Sequence, residues 1–462
     1  MIISMLNKGC RVGFFGLGVS NVALMSSLPL EKCQITLRSD SEISQSRLCG
    51  LPSVHRVFFG KNCCLEIDED IIFFSPSVRR DRPELVSAKE KGVIFSSDAE
   101  LFFELNKRPV FLVSGSDGKS TTATLVHLLL SSAGYKSRLI GNIGDPMTKN
   151  LPCEADYYVI ELSSFMLSYL KPKAEAACIT NITPNHLDWH KSFLEYKETK
   201  LSIFENAKRA VVPYECDGIS PAFAVISADT DFETLKKTRQ AELYFTQENG
   251  YICKNGEKII PISYIKRNEI HNLKNLMMAI AITDGLVENT HILSVAESFS
   301  GLSHRCESVF SEGGVEYIDS SIDSTPARTA QTLESLGKPV VLILGGRSKG
   351  VDYKELTHAV KKYARTVIIT GENSKEIFEE IKAVTKAEII EDFTEAVLLG
   401  KRYAKEVGTL LLSPASTSYD RFENYAVRGD RFKEILLKAK ENKNKSLQNT
   451  EEMRKKGETD LS

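Results

Sequence analysis

The sequence contains no long apolar run, and this absence argues against a membrane-spanning helix. No stretch of about 18 consecutive apolar residues occurs in the chain, and a helix needs about that length to cross a bilayer. The apolar part of residues 1–11 is too short for the core of a secretory signal peptide. We therefore expect a cytoplasmic protein with no membrane span.

The chain also lacks paired metal-ligand motifs and an excess of one charge. Its 10 cysteines include no C-x-x-C pair, and no Cys/His spacing typical of zinc sites occurs. Scattered cysteines without a signal peptide indicate a reducing compartment. The 59 basic residues balance the 61 acidic ones, so we expect no nucleic-acid partner, and small anionic substrates must be held by local sites.

What the chain does contain is a glycine-rich turn between a predicted strand and a predicted helix. Residues 110–113 are a buried strand by pattern, residues 115–121 have the sequence Gly-Ser-Asp-Gly-Lys-Ser-Thr, and residues 123–132 follow as a helix. In such a turn, backbone N–H groups and the positive end of the helix face an anion. The sequence therefore predicts a nucleotide-phosphate site, with an ordinary glycine turn as the structural alternative.

The side chains of this turn add a cation and a metal ligand. Lys119 can reach the β- and γ-phosphates, and the hydroxyl group of Ser120 or Thr121 can take a Mg²⁺. Val113 stands where the general P-loop pattern has its first glycine. The loop is therefore a shorter form of that pattern.

Apolar runs alternate with helical segments along most of the chain, which indicates an α/β fold with mostly parallel sheets. We expect three domains: a Rossmann-like domain over residues 1–106, a central P-loop ATPase-like domain over 107–300, and a Rossmann-like domain over 301–437. Ten of the last 22 residues are charged and few are large and apolar. This composition predicts a disordered tail over 438–462.

A second glycine turn, Gly16-Leu-Gly18, follows the predicted strand 11–15. Asn21 replaces the third glycine of the dinucleotide fingerprint, and no acidic residue clearly ends a second strand near position 38. The pattern favours a nucleotide or nucleotide-sugar over NAD. A tight turn without a ligand is the structural alternative.

Two polar residues follow neighbouring predicted strands of the central segment. Glu161 comes after the strand 157–160, where a carboxylate can bind Mg²⁺, and a solvated loop glutamate is the alternative. His186 lies past the end of the strand 177–180, which favours a metal or phosphate contact over a purely structural histidine.

Three further patterns indicate a binding or catalytic role less specifically when each is taken alone. Lys200 lies on the same predicted helix face as two aromatic residues, which is also typical of a lysine that snorkels to solvent. Asn272 and Asn275 stand at a predicted helix start, with the helix running from Leu276. Capping of the helix would explain one of the two amides, and a contact with adenine or ribose would explain the other. Loops at 345–350 and 413–418 follow strands and are of the kind that holds small anions.

Together these segments resemble the Mur ligases in residue type and in order, over about residues 8–437. The resemblance rests on residues 115–121, Gly141-Asn-Ile-Gly144, Glu161-Leu-Ser-Ser-Phe165, Asn181-Ile-Thr-Pro-Asn-His-Leu-Asp188, Lys200, His271-Asn272 with Asn275, and Leu302-Ser-His-Arg305. Glu161–Phe165, the Gly16-Leu-Gly18 turn and the ending 413–429 match the members that add D-glutamate. The Asp-Asn-Pro-Arg signature of the diaminopimelate- or lysine-adding members is absent.

The resemblance implies an ATP-dependent ligase of peptidoglycan precursor synthesis. ATP would phosphorylate the carboxylate of UDP-N-acetylmuramoyl-L-alanine to an acyl phosphate, and the amine of D-glutamate would attack it through a tetrahedral intermediate. The protein would mainly position charged partners. ATP, two Mg²⁺ ions and a CO2-derived carbamate on Lys200 are implied as cofactors, small molecules are the only partners expected, and we expect a monomer.

The resemblance also implies roles for individual residues, with Lys119, Glu161, His186, Lys200 and Asn142 at the catalytic centre. ATP would contact Gly115, Ser116, Asp117, Gly118, Lys119, Ser120, Thr121, Asn272, Asn275, Arg305 and Asp319. Metal ions would be bound by Ser120 or Thr121, Glu161, His186 and carbamylated Lys200. The UDP-substrate would contact Gly18, Val19, Ser20, Ser75, Asn142 and Ser163, and D-glutamate would contact Ser324, Lys349, Ser418 and Tyr425.

Four positions depart from the family pattern. Asp117 replaces an asparagine, Ser77 a glycine, Ser320 an aspartate and Ile322 a lysine. The last two bear on the ribose and D-glutamate contacts, for which Asp319, Asp323 and Ser324 are possible substitutes.

Three other functions remain open from the sequence. Within the class, the chain could be another Mur ligase or a folylpolyglutamate synthase. An NAD-dependent oxidoreductase could be built on Gly16-Leu-Gly18. A non-catalytic nucleotide-binding protein would account for the departures at Ser320 and Ile322.

Overall fold

The computed structural model describes residues 1–40, 51–143, 145–151, 153–187, 189–220, 222–347 and 353–441. The chain divides into two compact units, Met1–Phe299 and Ser300–Ser462. The first unit contains two large sheets and a two-stranded one, and the second contains one sheet. Among the described residues, no helix has the length and apolarity needed to cross a membrane.

The first sheet has five parallel strands in the order β3-β2-β1-β4-β5. The strands are β1 Arg11–Phe15, β2 Gln34–Ser39, β3 Arg56–Phe59, β4 Ile71–Phe74 and β5 Ile94–Ser96. The helices around it are α1 Ile2–Lys8, α2 Val19–Ser27, α3 Pro83–Glu90 and α4 Asp98–Leu105. The first strand lies at the centre of this parallel sheet, the next two strands are added on one side of it and the last two on the other, as in the Rossmann arrangement. In such sheets ligands bind at the carboxyl ends of the strands, next to the point where the order of strands reverses.

The second sheet has nine strands in the order β16-β15-β14-β13-β12-β10-β6-β8-β7. The strands are β6 Val110–Ser114, β7 Ser137–Gly141, β8 Tyr157–Glu161, β10 Ala176–Ile179, β12 Ala210–Pro213, β13 Ala222–Ser227, β14 Ala241–Glu248, β15 Tyr251–Lys254 and β16 Glu257–Pro261. All neighbours are parallel except the two hairpins formed by β14, β15 and β16. The short strands β9 Lys173–Ala174 and β11 Asn206–Ala207 pair separately.

Helices cover both faces of this second sheet. They are α5 Lys119–Ser132, α6 Ser164–Leu167, α7 Phe193–Leu201, α8 Phe232–Thr238, α9 Ile270–Ile282 and α10 Asn289–Ser298. Short 3-10 turns of the first unit cover Gly60–Asn62, directly after β3 of the first sheet, and Thr148–Asn150, Ser202–Phe204 and Ile262–Tyr264. Phe111, Leu129 and Met277 belong to the core on one face, and Leu112, Ile160 and Phe102 to the core on the other. Each such buried side chain contributes roughly 1.5–3 kcal/mol.

The sheet of the second unit has six strands in the order β17-β18-β22-β19-β20-β21, parallel except for the β17–β18 hairpin. The strands are β17 Glu307–Glu312, β18 Val315–Asp319, β19 Val340–Leu344, β20 Ala364–Ile369, β21 Lys386–Ile389 and β22 Thr409–Leu412. The helices are α11 Pro326–Leu336, α12 Lys354–Tyr363, α13 Ser374–Ile381, α14 Phe393–Val407 and α15 over 425–441.

The expected α/β fold with mostly parallel sheets is confirmed. The prediction that the helix of Asn272 and Asn275 begins at Leu276 is wrong, because α9 begins at Ile270. In the predicted tail, residues 438–441 continue α15, and residues 442–462 lie outside the described part of the chain. The three domain boundaries stay a prediction.

Candidate functional site

The glycine turn after β6 has a backbone that other residues would not fit. Gly115 has φ 142°, and a Cβ there would lie 1.9 Å from the Thr180 hydroxyl oxygen. Gly118 has φ 76°, and a Cβ there would lie 2.4 Å from the Asn275 Oδ1 atom. Gly118 is also the N-cap of α5 and offers no side-chain cap. The first N–H groups of a 14-residue helix therefore point into the turn, as an anion site requires.

Hydrogen bonds from the segment after β10 hold this turn in place. The Ser116 N–H donates to Asn181 O at 2.9 Å, and the Asp117 N–H donates to Asn181 Oδ1 at 2.9 Å. The Ser116 hydroxyl lies 2.9 Å from the Tyr196 hydroxyl of α7. Asn181 and Tyr196 were not predicted as positioning residues. Only the i, i+4 spacing of Tyr196 and Lys200 in the sequence signals that they share a face.

Two lysines converge on the same turn. Lys119 Nζ donates to Ser116 O at 2.7 Å, and Lys200 Nζ donates to Gly115 O at 2.6 Å. Lys200 is only 2% exposed, so it does not snorkel to solvent. Its Nζ atom lies 4.8 Å from the centre of the Tyr196 ring.

The environment of Lys200 favours its neutral form. Burial, and then the positive charge of Lys119, lower the pKa of Lys200 to about 7, while Glu161 and Asp117 act in the opposite direction. A substantial fraction of this side chain is therefore a free amine near neutral pH. Such an amine is a nucleophile, which an ordinary surface lysine is not.

Glu161 is the last residue of β8, paired with Val113 of β6, and not the first loop residue as predicted. Its carboxylate is fully buried, and Oε1 accepts from Asn142 Nδ2 at 2.7 Å. Asn142 also donates its backbone N–H to Glu161 O at 2.9 Å. Glu161 Oε2 has no hydrogen-bond partner among the described residues. A buried carboxylate oxygen left in this way fits a hard cation such as Mg²⁺.

His186 stands on an exposed turn with φ 53°, in the segment that follows Asn181. Its ring centroid lies 4.9 Å from that of Phe165. The neighbouring His190 is buried, and its Nε2 atom lies 3.0 Å from the hydroxyl of Ser164, the first residue of α6. Burial lowers the pKa of His190, so this histidine is neutral at physiological pH. His190 was not predicted, and its sequence context carried no signal for it.

Neither asparagine of α9 caps the helix, so the capping expectation is wrong. Glu269 is the N-cap residue, and Asn272 Nδ2 donates to its side chain at 2.8 Å. Asn275 lies one turn further on, where its Oδ1 atom accepts from the Thr122 hydroxyl at 3.3 Å. Since Gly118 passes close to the same Oδ1 atom, Asn275 borders the phosphate turn.

The Gly16–Gly18 turn of the first sheet is closed by a serine and an asparagine. The Ser75 hydroxyl donates to Gly16 O at 3.0 Å and accepts from the Gly18 N–H at 3.4 Å. Buried Asn21 donates to the carbonyls of Phe15, Gly16 and Phe73 at 3.1, 2.7 and 3.2 Å. The Asn21 amide thus ties α2 to the sheet by hydrogen bonds. In the dinucleotide fingerprint, the third glycine at this place allows the helix to pack closely on the strand.

The remaining residues predicted to contact the UDP-substrate lie around two helix starts. Gly18 is the N-cap of α2, Val19 is 71% exposed and Ser20 is half-buried. Ser163 is the N-cap of α6, where its side chain accepts from the Met166 N–H at 3.3 Å. The hydroxyl hydrogen of Ser163 is left for a further acceptor.

In the second unit, Asp319 ends β18 as a fully buried carboxylate. Its Oδ2 atom lies 2.7 Å from His304 Nδ1, and its Oδ1 atom accepts from the Ser321 N–H at 2.9 Å. Glu307 completes a group that could hold a cation. The Lys433 ammonium, 2.6 Å from Glu307 and 3.8 Å from Asp319, already supplies positive charge there.

Arg428 joins the loops at the carboxyl edge of this sheet. It is 2% exposed and donates to Ser321, Ser416 and Gly345, four bonds in all at 2.9–3.4 Å. Burial lowers its pKa to about 10. All four of these bonds go to neutral carbonyl or hydroxyl oxygens, so the guanidinium holds the loops in one arrangement through them.

Three residues predicted to bind D-glutamate belong to this edge. Ser418 is buried, Ser324 is half-buried, and Tyr425 is 39% exposed with its ring centroid 6.1 Å from that of His304. Arg305, predicted to contact ATP, is half-buried in the loop before β17. Lys349 lies outside the described residues.

The structure shows hydrogen bonds at three of the positions that depart from the family pattern, and at Asp323, one of the possible substitutes. Asp117 is exposed and held by its backbone, since its carbonyl accepts from Asn181 Nδ2 at 3.3 Å. Ser77 O accepts from Trp189 Nε1 at 2.9 Å. Ser320 is buried and its hydroxyl accepts from the Cys306 N–H at 3.2 Å. Asp323 is buried and accepts from Thr332 and Ser413, each at 2.8 Å, so its carboxyl group faces inward.

A glycine turn at the carboxyl edge of a mostly parallel sheet, with a buried carboxylate and two lysines beside it, is the arrangement typical of nucleotide-binding α/β enzymes. The family model of the Mur ligase middle domain matches residues 113–283, and that of the Mur ligase, glutamate ligase domain matches residues 304–416. The chain belongs to the Mur ligase family.

Individual relatives agree with this assignment. The chain is 34% identical over 455 residues to the UDP-N-acetylmuramoylalanine–D-glutamate ligase of Ruminiclostridium cellulolyticum, covering 93% of this chain and 97% of that protein. It is 32% identical over 452 residues to the ligase of the same name from Clostridium novyi, covering 92% and 96%. The fold is similar to that of a UDP-N-acetylmuramate-alanine ligase from Thermotoga maritima, with a TM-score of 0.56, 19% identity, and coverage of 93% and 100%.

Proposed function

We propose that this protein joins D-glutamate to UDP-N-acetylmuramoyl-L-alanine at the expense of ATP, in the cytoplasmic stage of peptidoglycan precursor synthesis. The relatives of that name, at 32–34% identity over more than nine tenths of the chain, support this reaction. The observation that carries the proposal is the convergence of Lys119, Lys200 and Glu161 on one glycine turn.

The protein's part in this reaction is to hold charges in fixed positions. The N–H groups at the start of α5 and the ammonium of Lys119 face the phosphates of ATP. They stabilise the negative charge that develops as the γ-phosphoryl group moves to a substrate carboxylate. No side chain needs to form a covalent bond to the reacting substrates, so positioning by the turn supplies much of the rate enhancement.

The residues around Glu161 fit a Mg²⁺ ion. The unpartnered Oε2 atom of Glu161 is the best placed ligand, and the Ser120 hydroxyl, in the first turn of α5, is the second. We assign His186 to a second ion. Bound Mg²⁺ would neutralise phosphate charge and polarise the reacting oxygen atoms.

We further propose that Lys200 reacts with CO2 to form a carbamate. The low pKa of its amine provides the neutral nucleophile that this reaction needs. The carbamate would replace a buried cation by an anion close to Gly115. An anion at this point would bind a metal ion or orient Lys119, and either role explains why a lysine is buried here.

The nucleotide and amino-acid contacts are proposed by residue type and position. Asn275, at the phosphate turn, and Asn272, Arg305 and Asp319 are assigned to ATP. The α2 start, with Gly18, Val19, Ser20 and Ser75, and the α6 start, with Ser163, are assigned to the UDP-substrate, and Asn142 to the reacting end of that substrate. Ser324, Ser418 and Tyr425 are assigned to D-glutamate, as is Lys349.

The decisive experiment measures phosphate release by the purified protein with ATP, Mg²⁺, UDP-N-acetylmuramoyl-L-alanine and each of several amino acids. We expect release with D-glutamate and none with L-alanine, L-lysine or meso-diaminopimelate. Omitting the UDP-substrate is the control for uncoupled ATP hydrolysis. Release that depends on another amino acid would move the protein to another ligase activity of the class.

A further inference from the structure

Two adjacent cysteines in the first unit have no part in the proposed reaction. Cys63 and Cys64 follow the short 3-10 turn Gly60–Asn62, and their sulfur atoms lie 3.8 Å apart. Both are free thiols. Cys63 is buried, whereas Cys64 is half-buried and thus open to solvent.

The pair contacts a single ion pair at the carboxyl edge of the first sheet. Arg82 binds Asp40 through two hydrogen bonds of 2.6 and 2.8 Å. Arg82 Nη1 also lies 3.3 Å from Cys63 Sγ and 3.9 Å from Cys64 Sγ. The Cys63 thiol donates to Asp40 Oδ1 at 3.6 Å. Both sulfur atoms are therefore within reach of one guanidinium group.

The same guanidinium connects the thiols to the Gly16–Gly18 turn. The Arg82 guanidinium carbon lies 5.1 Å from the centre of the Phe15 ring, a cation–π contact. Phe15 is the last residue of β1 and directly precedes Gly16. A change at Cys63 thus reaches the first turn of this sheet through Arg82 and Phe15.

We propose that Cys63 and Cys64 form a dithiol modification site that low-molecular-weight disulfides convert to an internal disulfide. The thiolate of Cys64 attacks one sulfur of the small disulfide, forms a mixed disulfide and releases one small thiol. The Cys63 sulfur then attacks Cys64 Sγ and displaces the second small thiol. The two protein thiols lose two electrons and two protons in total, and the two released thiols take them up.

The order of the two steps follows from burial. Desolvation raises the pKa of Cys63 to about 11, with Arg82 opposing it. Because Cys63 is buried, a small disulfide in solution does not reach it first, and its raised pKa makes it the slower nucleophile. It attacks second, after giving up its proton to solvent, when the Cys64 sulfur is already held beside it as a mixed disulfide. The half-buried Cys64 meets the small disulfide first.

Closing the disulfide changes the contacts of Asp40. The two sulfur atoms move from 3.8 Å apart to about 2.0 Å. Cys63 also loses the proton that it donates to Asp40. The Asp40–Arg82 pair, and with it the stacking on Phe15, must rearrange. On the proposed function, on which this consequence rests, weaker binding of the UDP-substrate follows.

The thiol chemistry is tested on the full-length protein without any activity assay. Incubation with oxidised glutathione is expected to remove two hydrogen atoms from the intact mass, and peptide mapping should place the loss at Cys63 and Cys64. Cys64→Ser abolishes the loss at this peptide. The double variant Cys10→Ser/Cys33→Ser, which removes another neighbouring thiol pair, should retain it. A stable glutathione adduct on Cys64 with no internal disulfide overturns the proposal.

The effect on the site is tested by steady-state kinetics of the oxidised and reduced protein. The KM for the UDP-substrate should rise roughly tenfold on oxidation, the scale of one perturbed hydrogen bond to a charged group. Dithiothreitol should reverse it, and the KM for ATP and for D-glutamate should not change. An unchanged KM in protein whose disulfide is verified by mass overturns the link to the site. A failure of the proposed function itself is recognised separately, because the reduced protein would then show no turnover.

Discussion

At the scale of single residues, burial decides which side chains become reactive. Glu161 and Lys200 would be unremarkable on the surface, where water solvates both charges. In the interior, Glu161 keeps one carboxylate oxygen with no hydrogen-bond partner in the described part of the chain, and Lys200 loses much of its proton affinity. Since desolvation penalises charged groups strongly, a bound cation would stabilise the Glu161 carboxylate, and Lys200 favours its neutral, reactive amine.

Replacing Glu161 by glutamine tests the metal assignment. The variant keeps an oxygen for Asn142 but removes the negative charge, so kcat should fall roughly 100-fold or more and the Mg²⁺ concentration needed for half-maximal rate should rise. Initial rates over a Mg²⁺ titration measure both. Glu175→Gln, at an exposed ion pair with Lys208, is the matched control and should retain wild-type rates. A Glu161→Gln protein with an unchanged Mg²⁺ dependence would remove Glu161 from the metal site.

Lys200→Ala should lose activity roughly 100-fold, and added short carboxylates such as acetate should restore part of it by standing in for the carbamate. Lys197→Ala, on the same helix, controls for general effects on α7. Rescue is measured as initial rate against acetate concentration. Wild-type activity in Lys200→Ala would exclude this lysine from the site.

The low pKa of Lys200 also predicts a pH dependence. Only the neutral amine reacts with CO2. Below about pH 7 the ammonium form predominates, and above it the amine does. Activation of CO2-depleted enzyme by bicarbonate should therefore set in as the pH rises through about 7, and rates with and without bicarbonate measure it. Activation that begins only near pH 10, the range of an ordinary lysine, would contradict the shifted pKa.

At the scale of secondary-structure elements, the carboxyl edges of the sheets are held by polar side chains and not by tight glycine packing alone. Asn21 bonds three carbonyls and fastens α2 to β1 and β4. In the second unit Arg428 does the same for three loops. Each buried donor adds hydrogen bonds to carbonyl groups at or just after the strand ends, which fixes the loops relative to the strands.

Asn21→Ala should therefore lower the free energy of unfolding by roughly 1–3 kcal/mol, because α2 loses the buried hydrogen bonds that fasten it to the ends of β1 and β4. Urea denaturation measures this change. Ser26→Ala, also on α2 but exposed and bonded only to its own helix, should change stability by less than about 0.5 kcal/mol. Equal effects of the two substitutions would show that Asn21 does not anchor α2.

At the scale of the whole molecule, the chain consists of two compact units with separate cores. The single tryptophan, Trp189, belongs to the first unit. Its indole N–H donates to Ser77 O at 2.9 Å and its ring faces the Arg79 guanidinium at 5.0 Å. Trp189 therefore joins the segment after β4 to the segment carrying His186, and its fluorescence reports on this part of the first unit.

Two units with their own cores should unfold in separable steps. We expect the urea transition followed by Trp189 fluorescence to differ from the one followed by far-ultraviolet circular dichroism, which records both units. Trp189→Phe is the control, since it should remove the fluorescence transition and leave the dichroism curve biphasic. Coincident single transitions by both methods would show that the units unfold as one.

A feature of the fold or site was predictable where the residues that signal it lie close together in the sequence. The glycine turn between a strand and a helix, the α/β class and the family were predicted, because the residues that signal them are contiguous or follow in a fixed order along the chain. The start of α9 was not, because a weak capping signal from Asn272 and Asn275 competed with Glu269, whose backbone accepts from the first turn. His190 was missed because its partner, Ser164, lies 26 residues away.

The sequence by itself determined the membership in the Mur ligases, the mostly parallel sheets and the glycine turn between β6 and α5, since these follow from residue order and short-range sterics. Only the tertiary structure decided that Lys200 is buried and reaches Gly115, 85 residues away, that Glu161 is buried beside Asn142, and that Cys63 and Cys64 contact Arg82. These properties depend on desolvation and on distances between segments remote in the chain. Neither quantity exists until the sheets are packed.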